Sequence, residues 1–519
     1  MNRQHMIDRL EQTGTWDMVV VGGGATGVGI AVDAASRGYE VALIEQHDFG
    51  KGTSSRSTKL AHGGVRYLEQ GNISLVMEAL KERGLMRQNA PHLVSNLAFV
   101  VPNYDWWEAP FYGLGLKVYN VLAGKYGFGS SEILSREETL ARLPTIKTDG
   151  LLGGVVYYDG QFDDARLLVN LVQTAIEQGA AAANYVEAVA LTKGGDGFVN
   201  GVVARDVEAG REFNLQARVV INATGPFSDR VRRLAEPEAP GLIAPSQGVH
   251  LVFPASFLPA TNAIMVPHTS DGRVMFAIPW HGHTVVGTTD TPIAEPTLEP
   301  VALEEEIAFI LDTAGRYLDR APTRADVLSV FVGIRPLVKS GDSRLTAALS
   351  RDHTIHIDAS GLLTTTGGKW TTYRHMAEAT VDQAADLARL PERPCVTRTL
   401  NIHGFHQSRE KFGRLSLYGS DASAVQALGK EDPALGEPLD PDLPYTGAEV
   451  TWGVREEMAR TVEDVLARRC RALFLNARAA ARMAPAAAAL VARERGKDDA
   501  WARAEVERFT TLCEQYTVR

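Results

Sequence analysis

Near its start the chain carries a strand, a glycine turn, a small-residue helix and a second strand that closes on an acid. Asp17-Met-Val-Val-Val21 runs into Gly22-Gly23-Gly24-Ala25-Thr26-Gly27, and Val41-Ala-Leu-Ile44 ends at Glu45. Two strands joined by a crossover helix commit this part of the chain to a parallel sheet. Each small residue has a physical task. Gly22 permits the tight turn, Gly24 lets the backbone approach a pyrophosphate, and Gly27 lets the helix pack on the strand. Ala25 and Thr26 open the helix, whose free N–H groups and positive dipole end suit phosphate oxygens. Glu45 stands about 20 residues on, where an acceptor for ribose hydroxyls is expected. The glycine pattern alone is weak; the flanking strands, the alanine-rich helix and the terminal acid together predict a dinucleotide site.

The rest of the sequence bounds the setting. A chain of 519 residues with 45% apolar and 22% charged residues is long enough for two or three globular domains. A formal charge of −10 argues against nucleic acid as a partner and requires any anionic substrate to meet a local cationic pocket. Cys395, Cys470 and Cys513 are far apart, which suits a reducing compartment and gives no metal-ligand spacing. The N-terminus lacks the pattern of a signal peptide, and no apolar run is long enough to span a bilayer. The expectation is a cytoplasmic protein, or one attached to a membrane face. Residues 105–129 bear on that choice, because Trp106, Trp107, Phe111, Tyr112, Leu114, Leu116 and Tyr119 alternate with glycines and Lys117. Such a stretch fits a helix lying in a membrane interface, and equally a buried helical hairpin.

Strand-like runs at 202–204 and 218–225 bracket a turn-rich hairpin, whereas 249–253, 274–278 and 284–287 read as strands of a separate antiparallel sheet; further strand-like runs stand at 327–335 and 353–357, with helical spacing at 74–88 and 304–317. Leu362-Leu-Thr-Thr-Thr-Gly-Gly368, followed by Lys369-Trp-Thr-Thr-Tyr373, reads as another strand, glycine turn and helix start. The expected division is a discontinuous nucleotide domain over about 1–75, 150–235 and 340–390. A substrate domain would occupy about 76–150 and 236–340, and a helical domain 396–519. Pro-rich residues 429–444 read as a hinge, followed by a capping box at Thr446 and Glu449.

The return to glycines at 367–368, and Asn222-Ala223-Thr224-Gly225 at a strand end, suit a ligand long enough for distant segments to line it. FAD fits this better than NAD. Together Val19–Gly27, Thr53–Leu68, Gly333-Ile-Arg-Pro-Leu337 and Gly367–Arg374 resemble the FAD-dependent glycerol-3-phosphate dehydrogenase family, and the likeness spans essentially the whole chain. It implies an α/β flavoprotein of the glutathione-reductase/D-amino-acid-oxidase type: a Rossmann-like FAD-binding domain, an antiparallel-sheet substrate domain and a C-terminal helical domain. It also implies oxidation of sn-glycerol 3-phosphate to dihydroxyacetone phosphate, a membrane quinone as acceptor, and peripheral attachment to the cytoplasmic face of the inner membrane. A homodimer is compatible with the sequence.

The resemblance also assigns residues. Gly22, Gly24, Ala25, Thr26, Gly27 and Glu45 take the adenosine half, with Val186, Ala223, Thr224 and Gly225 beside it. Thr53, Ser54, Ser57, Lys59, Leu60 and His62 hold the ring with Gly368, Lys369, Trp370 and Thr371. Arg66, Tyr67, Arg335, Arg351 and Lys369 face the substrate. An isolated arginine more often sits in a surface ion pair. Yet Arg335 precedes a proline at a strand end, and Lys369 opens a helix, where a cation is disfavoured unless an anion is near. His250 is placed over the flavin, and imidazole suits the base that takes the hydroxyl proton. Arg335 would stabilise the C2 oxygen or the phosphate; the two catalytic roles could be exchanged. Other open readings are an oxygen-using oxidase of the same superfamily, an amine or hydroxy-acid oxidase, and a flavin-binding scaffold without catalysis.

Overall fold

The computed structural model describes residues 1–64, 72–267, 269, 272–339 and 353–518. Strand Trp16–Val21 lies at the centre of the first sheet and pairs in parallel with Val41–Glu45 on one side and Arg211–Asn222 on the other. Ala181–Asn184 extends the sheet beyond Val41–Glu45, and Leu363–Gly367 extends it beyond Arg211–Asn222. His353–Ile357 closes that edge antiparallel. Strands buried on both faces read as continuous apolar runs. The in-and-out alternation of a half-buried strand is accordingly absent: Met18, Val19, Val20 and Val21 are all buried. Helices Ala25–Ser36, Asp164–Glu177 and Tyr373–Leu387 pack around this sheet.

Among the described residues the second sheet has ten strands, and its centre is the long antiparallel pair Ile243–Pro254 with Ser329–Val338. Its strand pairs are antiparallel, except where Asn262–Val266 meets Val94–Asn103. Two observations move the expected boundaries. Gly153–Phe162 pairs with Val94–Asn103 in the second sheet, and Leu60–Ala61 joins it there. A division near residue 150 therefore places this strand in the wrong sheet; the chain returns to the first sheet's layers with helix Asp164–Glu177. The expected hinge is also structured. Gly429 lies inside helix Ala422–Glu431, and Pro438–Asp440 pairs with Leu443–Thr446 in a small hairpin. The capping box at Thr446 and Glu449 is formed.

Helix Glu108–Ala123 reconciles the two readings of its sequence. Tyr112, Leu116 and Tyr119 are buried against the second sheet's core, whereas Trp106 is 81%, Val121 80% and Leu114 69% exposed. It is apolar on two faces, one packed and one bare.

The C-terminal helices are joined to the nucleotide domain by buried charge. Asp48, three residues past Glu45, is fully buried; it accepts from Arg468 Nε at 2.6 Å and from Arg469 Nη1 and Nη2 at 2.6 and 2.9 Å. These guanidinium groups hold its carboxyl well below the usual carboxylate range.

Candidate flavin and substrate site

A cleft runs along the carboxyl ends of the first sheet, where ligands of open α/β sheets bind. Its lining includes Gly22, Gly24, Ala25, Thr26, Glu45, Thr53, Ser54, Val186, Ala223, Thr224, Gly225, Gly368, Lys369 and Trp370. The structure thus brings together fourteen of the predicted cofactor residues, from segments spread over the chain. The backbone forms a cradle that side chains would fill. Gly22 has φ +114°, and a Cβ there would lie 2.6 Å from the Ala223 carbonyl oxygen. A Cβ on Gly27 would lie 1.9 Å from the Gly22 carbonyl oxygen, so Gly27 sets the helix against the strand and does not line the cleft. Helix Ala25–Ser36 starts at Gly24, which has no side chain to cap it, and the Ala25 N–H donates to Ser54 Oγ at 2.9 Å. The Glu45 carboxylate accepts from the N–H of Gly23 at 2.7 Å and of His47 at 2.8 Å, and burial raises its pKa. This glycine-lined helix start beside an oriented carboxylate fits the pyrophosphate and ribose of FAD.

Two hydrogen bonds stitch the far end. Thr53 Oγ1 donates to the Ile334 carbonyl at 2.6 Å, and Trp370 Nε1 donates to the Ser54 carbonyl at 2.8 Å. They bind the ring-side segment to the Arg335 strand and to the second glycine turn. His62 lies in the same neighbourhood, its N–H donating to Thr371 Oγ1 at 3.2 Å, although neither residue lines the cleft.

Three expected cofactor contacts turn elsewhere. Ser57 Oγ donates to Asp164 at 2.7 Å, and Lys59 Nζ donates to the same carboxylate at 2.7 Å and to the Ser55 carbonyl at 2.8 Å. Lys59 is fully buried, with Trp280, Phe331 and Phe474 around its ammonium, and burial pulls its pKa down to about 7. It is a buried structural cation rather than a cleft wall. Leu60 is buried in the core of the second sheet. A lysine beside a glycine-rich segment gives no hint, in sequence, of the Asp164 that claims it.

The central pair of the second sheet carries both Arg335 and His250. Strand alternation puts Ser246, Gly248 and His250 on one face of Ile243–Pro254, and Ser246 is the cross-strand partner of Arg335. The Arg335 guanidinium lies over Gly248, where a Cβ would stand 2.5 Å from Nη2. It is fixed by the Thr289 carbonyl at 2.9 Å, Thr288 Oγ1 at 3.2 Å, the Gln247 carbonyl at 3.3 Å and the Asp290 carboxylate at 3.2 Å. Ser246 in turn hydrogen-bonds Asp290. His250 stacks on Phe331, ring centroids 4.7 Å apart, and its Nε2 is 2.9 Å from Thr58 Oγ1. Its Nδ1 is buried and has no hydrogen-bond partner among the described residues. Burial, with Lys59 and Arg335 adding to it, lowers its pKa well below the ordinary histidine value. The imidazole is neutral at pH 7 and able to accept a proton. Sequence reasoning missed Thr58, Gly248, Thr288 and Asp290. Gly248 was visible in Ser246-Gln-Gly-Val-His250 as a glycine inside a strand, a sign of close approach. Arg66, Tyr67 and Arg351 lie outside the described residues.

Known proteins match this architecture. Residues 17–374 match the family model described as FAD dependent oxidoreductase, and residues 395–502 match the C-terminal domain of alpha-glycerophosphate oxidase. The chain is 42% identical over 532 residues to the mitochondrial glycerol-3-phosphate dehydrogenase of Homo sapiens, covering 96% of this chain and 73% of that protein. It is 40% identical over 543 residues to a probable mitochondrial glycerol-3-phosphate dehydrogenase of Caenorhabditis elegans, covering 99% of this chain and 75% of that one. The crystal structure of glycerol-3-phosphate dehydrogenase from Bacillus halodurans, complexed with FAD, superposes with a TM-score of 0.80 at 30% identity, over 99% of this chain and 97% of that chain. The chain belongs to the FAD-dependent glycerol-3-phosphate dehydrogenase family, and its cofactor is FAD.

Proposed function

We propose that the chain oxidises sn-glycerol 3-phosphate to dihydroxyacetone phosphate and hands the electrons to a membrane quinone. The observation that carries this reading is Arg335 held over Gly248, which adjoins neutral His250 on its strand face, next to the ring-side stitches of the flavin cleft. FAD, when bound, supplies the hydride acceptor. The protein supplies the rest. Arg335 and Lys369, with Arg66 and Arg351 from the family resemblance, bind the phosphate or the C2 oxygen; a planar guanidinium fork meets such oxygens in pairs. Tyr67 adds a hydroxyl by the same resemblance. His250 takes the C2 hydroxyl proton as hydride leaves, and Thr58 orients its ring. Burial of His250 keeps it unprotonated and ready.

Anaerobic addition of glycerol 3-phosphate to the purified holoprotein should bleach the visible absorbance of the flavin. Dihydroxyacetone phosphate should appear in equal amount. A flavin that stays oxidised sinks the reading. Reoxidation by a quinone faster than by oxygen separates a dehydrogenase from an oxidase.

The bare face of helix Glu108–Ala123 supports a lipid surface as the place of work, and the family resemblance puts it on the cytoplasmic face of the membrane. Phe111, Leu114, Val118 and Val121 are exposed, with Trp106 and Trp107 before them and the exposed Lys117 and Lys125 alongside. Tryptophan and lysine beside an apolar face suit the headgroup boundary of an anionic bilayer. No described helix is long and apolar enough to cross a membrane. Liposomes containing anionic lipid should sediment the protein, and the pair Leu114→Asp, Val121→Asp should leave it in solution with full flavin content. Unchanged sedimentation, or dimerisation through this face without lipid binding, refutes the assignment.

A further inference from the structure

A second cavity, of about 470 Å³, opens between the second sheet and the C-terminal domain, and it shares no lining residue with the flavin cleft. Five arginines line it, Arg166, Arg409, Arg414, Arg469 and Arg471, against two carboxylates, Asp163 and Glu449. Four of the arginines are already matched by carboxylates. Arg166 pairs with Glu457, Arg414 with Glu449, Arg469 with Asp48 at 2.6 Å, and Arg471 with Asp164 at 3.1 Å. Asp163, the wall's other acid, is 2.8 Å from His281 Nε2.

Arg409 is different. Its Nη1 donates to the His92 carbonyl at 3.0 Å, and among the described residues no carboxylate stands within ion-pair distance of it. Among the described residues only its chain neighbour Glu410 acts on it in favour of charge, and burial lowers its pKa. A guanidinium has five N–H donors, and a half-buried cation without a counter-charge is costly. Tyr445 lines the same cavity, and its hydroxyl makes no hydrogen bond among the described residues. An unmatched cation and a spare hydroxyl in one polar hollow define the complement: an anion with several oxygens. The volume exceeds that of an inorganic phosphate and falls within the range of small-molecule sites.

We propose that this cavity binds a small organic phosphate monoester, gripped by Arg409 and Tyr445, at a site separate from the one where substrate is oxidised. Calorimetric titration of the holoenzyme in low-salt, chloride-free buffer tests it, with 3-phosphoglycerate and inorganic phosphate as probes. 3-Phosphoglycerate should show two classes of site. Arg409→Ala should weaken one class at least tenfold and leave the KM for glycerol 3-phosphate unchanged, whereas Arg335→Ala should remove the other. Ser416→Asp, which places a negative charge in the cavity wall, should act as Arg409→Ala does, and it carries the test if Arg409→Ala fails to fold. A single class abolished by Arg335→Ala, or two classes that survive both Arg409→Ala and Ser416→Asp, overturns the proposal. Inorganic phosphate binding the Arg409-dependent class as tightly as 3-phosphoglycerate overturns the monoester assignment.

Discussion

Replacing Gly248 by alanine isolates the contribution of Arg335 without touching a polar group. The added Cβ would stand 2.5 and 2.8 Å from the two terminal nitrogens of Arg335 and 2.6 Å from Thr288 Oγ1. Gly248 pairs with Gly333 on one side, and on the other the strand is held just before and just after it, Gln247 to Thr291 and His250 to Gly287, so the backbone holds and the guanidinium moves. It then leaves the Thr289 carbonyl and Thr288 hydroxyl that aim it. A displaced cation forfeits about one charge-assisted hydrogen bond to substrate, roughly 1.5–3 kcal/mol. At about 1.4 kcal/mol per factor of ten, kcat/KM for glycerol 3-phosphate should fall about 10- to 150-fold. Activity on unphosphorylated glycerol should change less if Arg335 holds the phosphate, and equally if it holds the C2 oxygen. The assay is steady-state turnover with an artificial acceptor, alongside flavin content and thermal melting. A kcat/KM within twofold of wild type, at full flavin loading, refutes the placement of Arg335 in the substrate site.

Three further outcomes follow from the same geometry. His250→Asn should lower kcat by about 100- to 10,000-fold with flavin retained, and Thr58→Val should lower kcat more than it raises KM; wild-type kcat for both variants refutes the base assignment. Lys59→Met leaves Asp164 short of a buried cation and should cost about 3–5 kcal/mol of stability, read from urea unfolding; a loss below about 1 kcal/mol shows that Arg471 and Ser57 suffice. His403, clamped by Glu177 and Asp421, has its pKa raised to about 9 by those carboxylates, against desolvation. The raised value means that its contribution is complete below about pH 6.5 and disappears as pH rises through about 9. His403→Gln should therefore lower the urea midpoint at about pH 6 and match wild type at about pH 10; an equal deficit at both values removes the ion pairs as its cause.

The nucleotide half of the site was legible because its chemistry is written in contiguous backbone. Gly22, Gly24 and Gly27 need only local geometry and the next strand to be understood. The second glycine turn at Gly367 and Gly368 was visible for the same reason. What escaped the sequence depends on pairing between remote strands. Nothing local to Arg335 announces Gly248, 87 positions away, and nothing local to Thr58 announces His250. Lys59, placed beside the flavin by the family resemblance, is held by Asp164, 105 positions away, which nothing local to it announces. The expected domain boundary near residue 150 falls one strand too early because the helix after Gly153–Phe162, rather than the strand, marks the chain's return to the first sheet.

The grip of Arg468 and Arg469 on Asp48 bears on how the polypeptide can be cut. The two family models meet the chain as separate modules, ending at 374 and resuming at 395. A fragment stopping in that gap would lose both arginines that neutralise Asp48, three positions from the acid that lines the cleft. The break between models is a seam of descent and not of physics: neither piece is expected to be an independent folding unit, and the flavin fold has the tail as part of its own foundation.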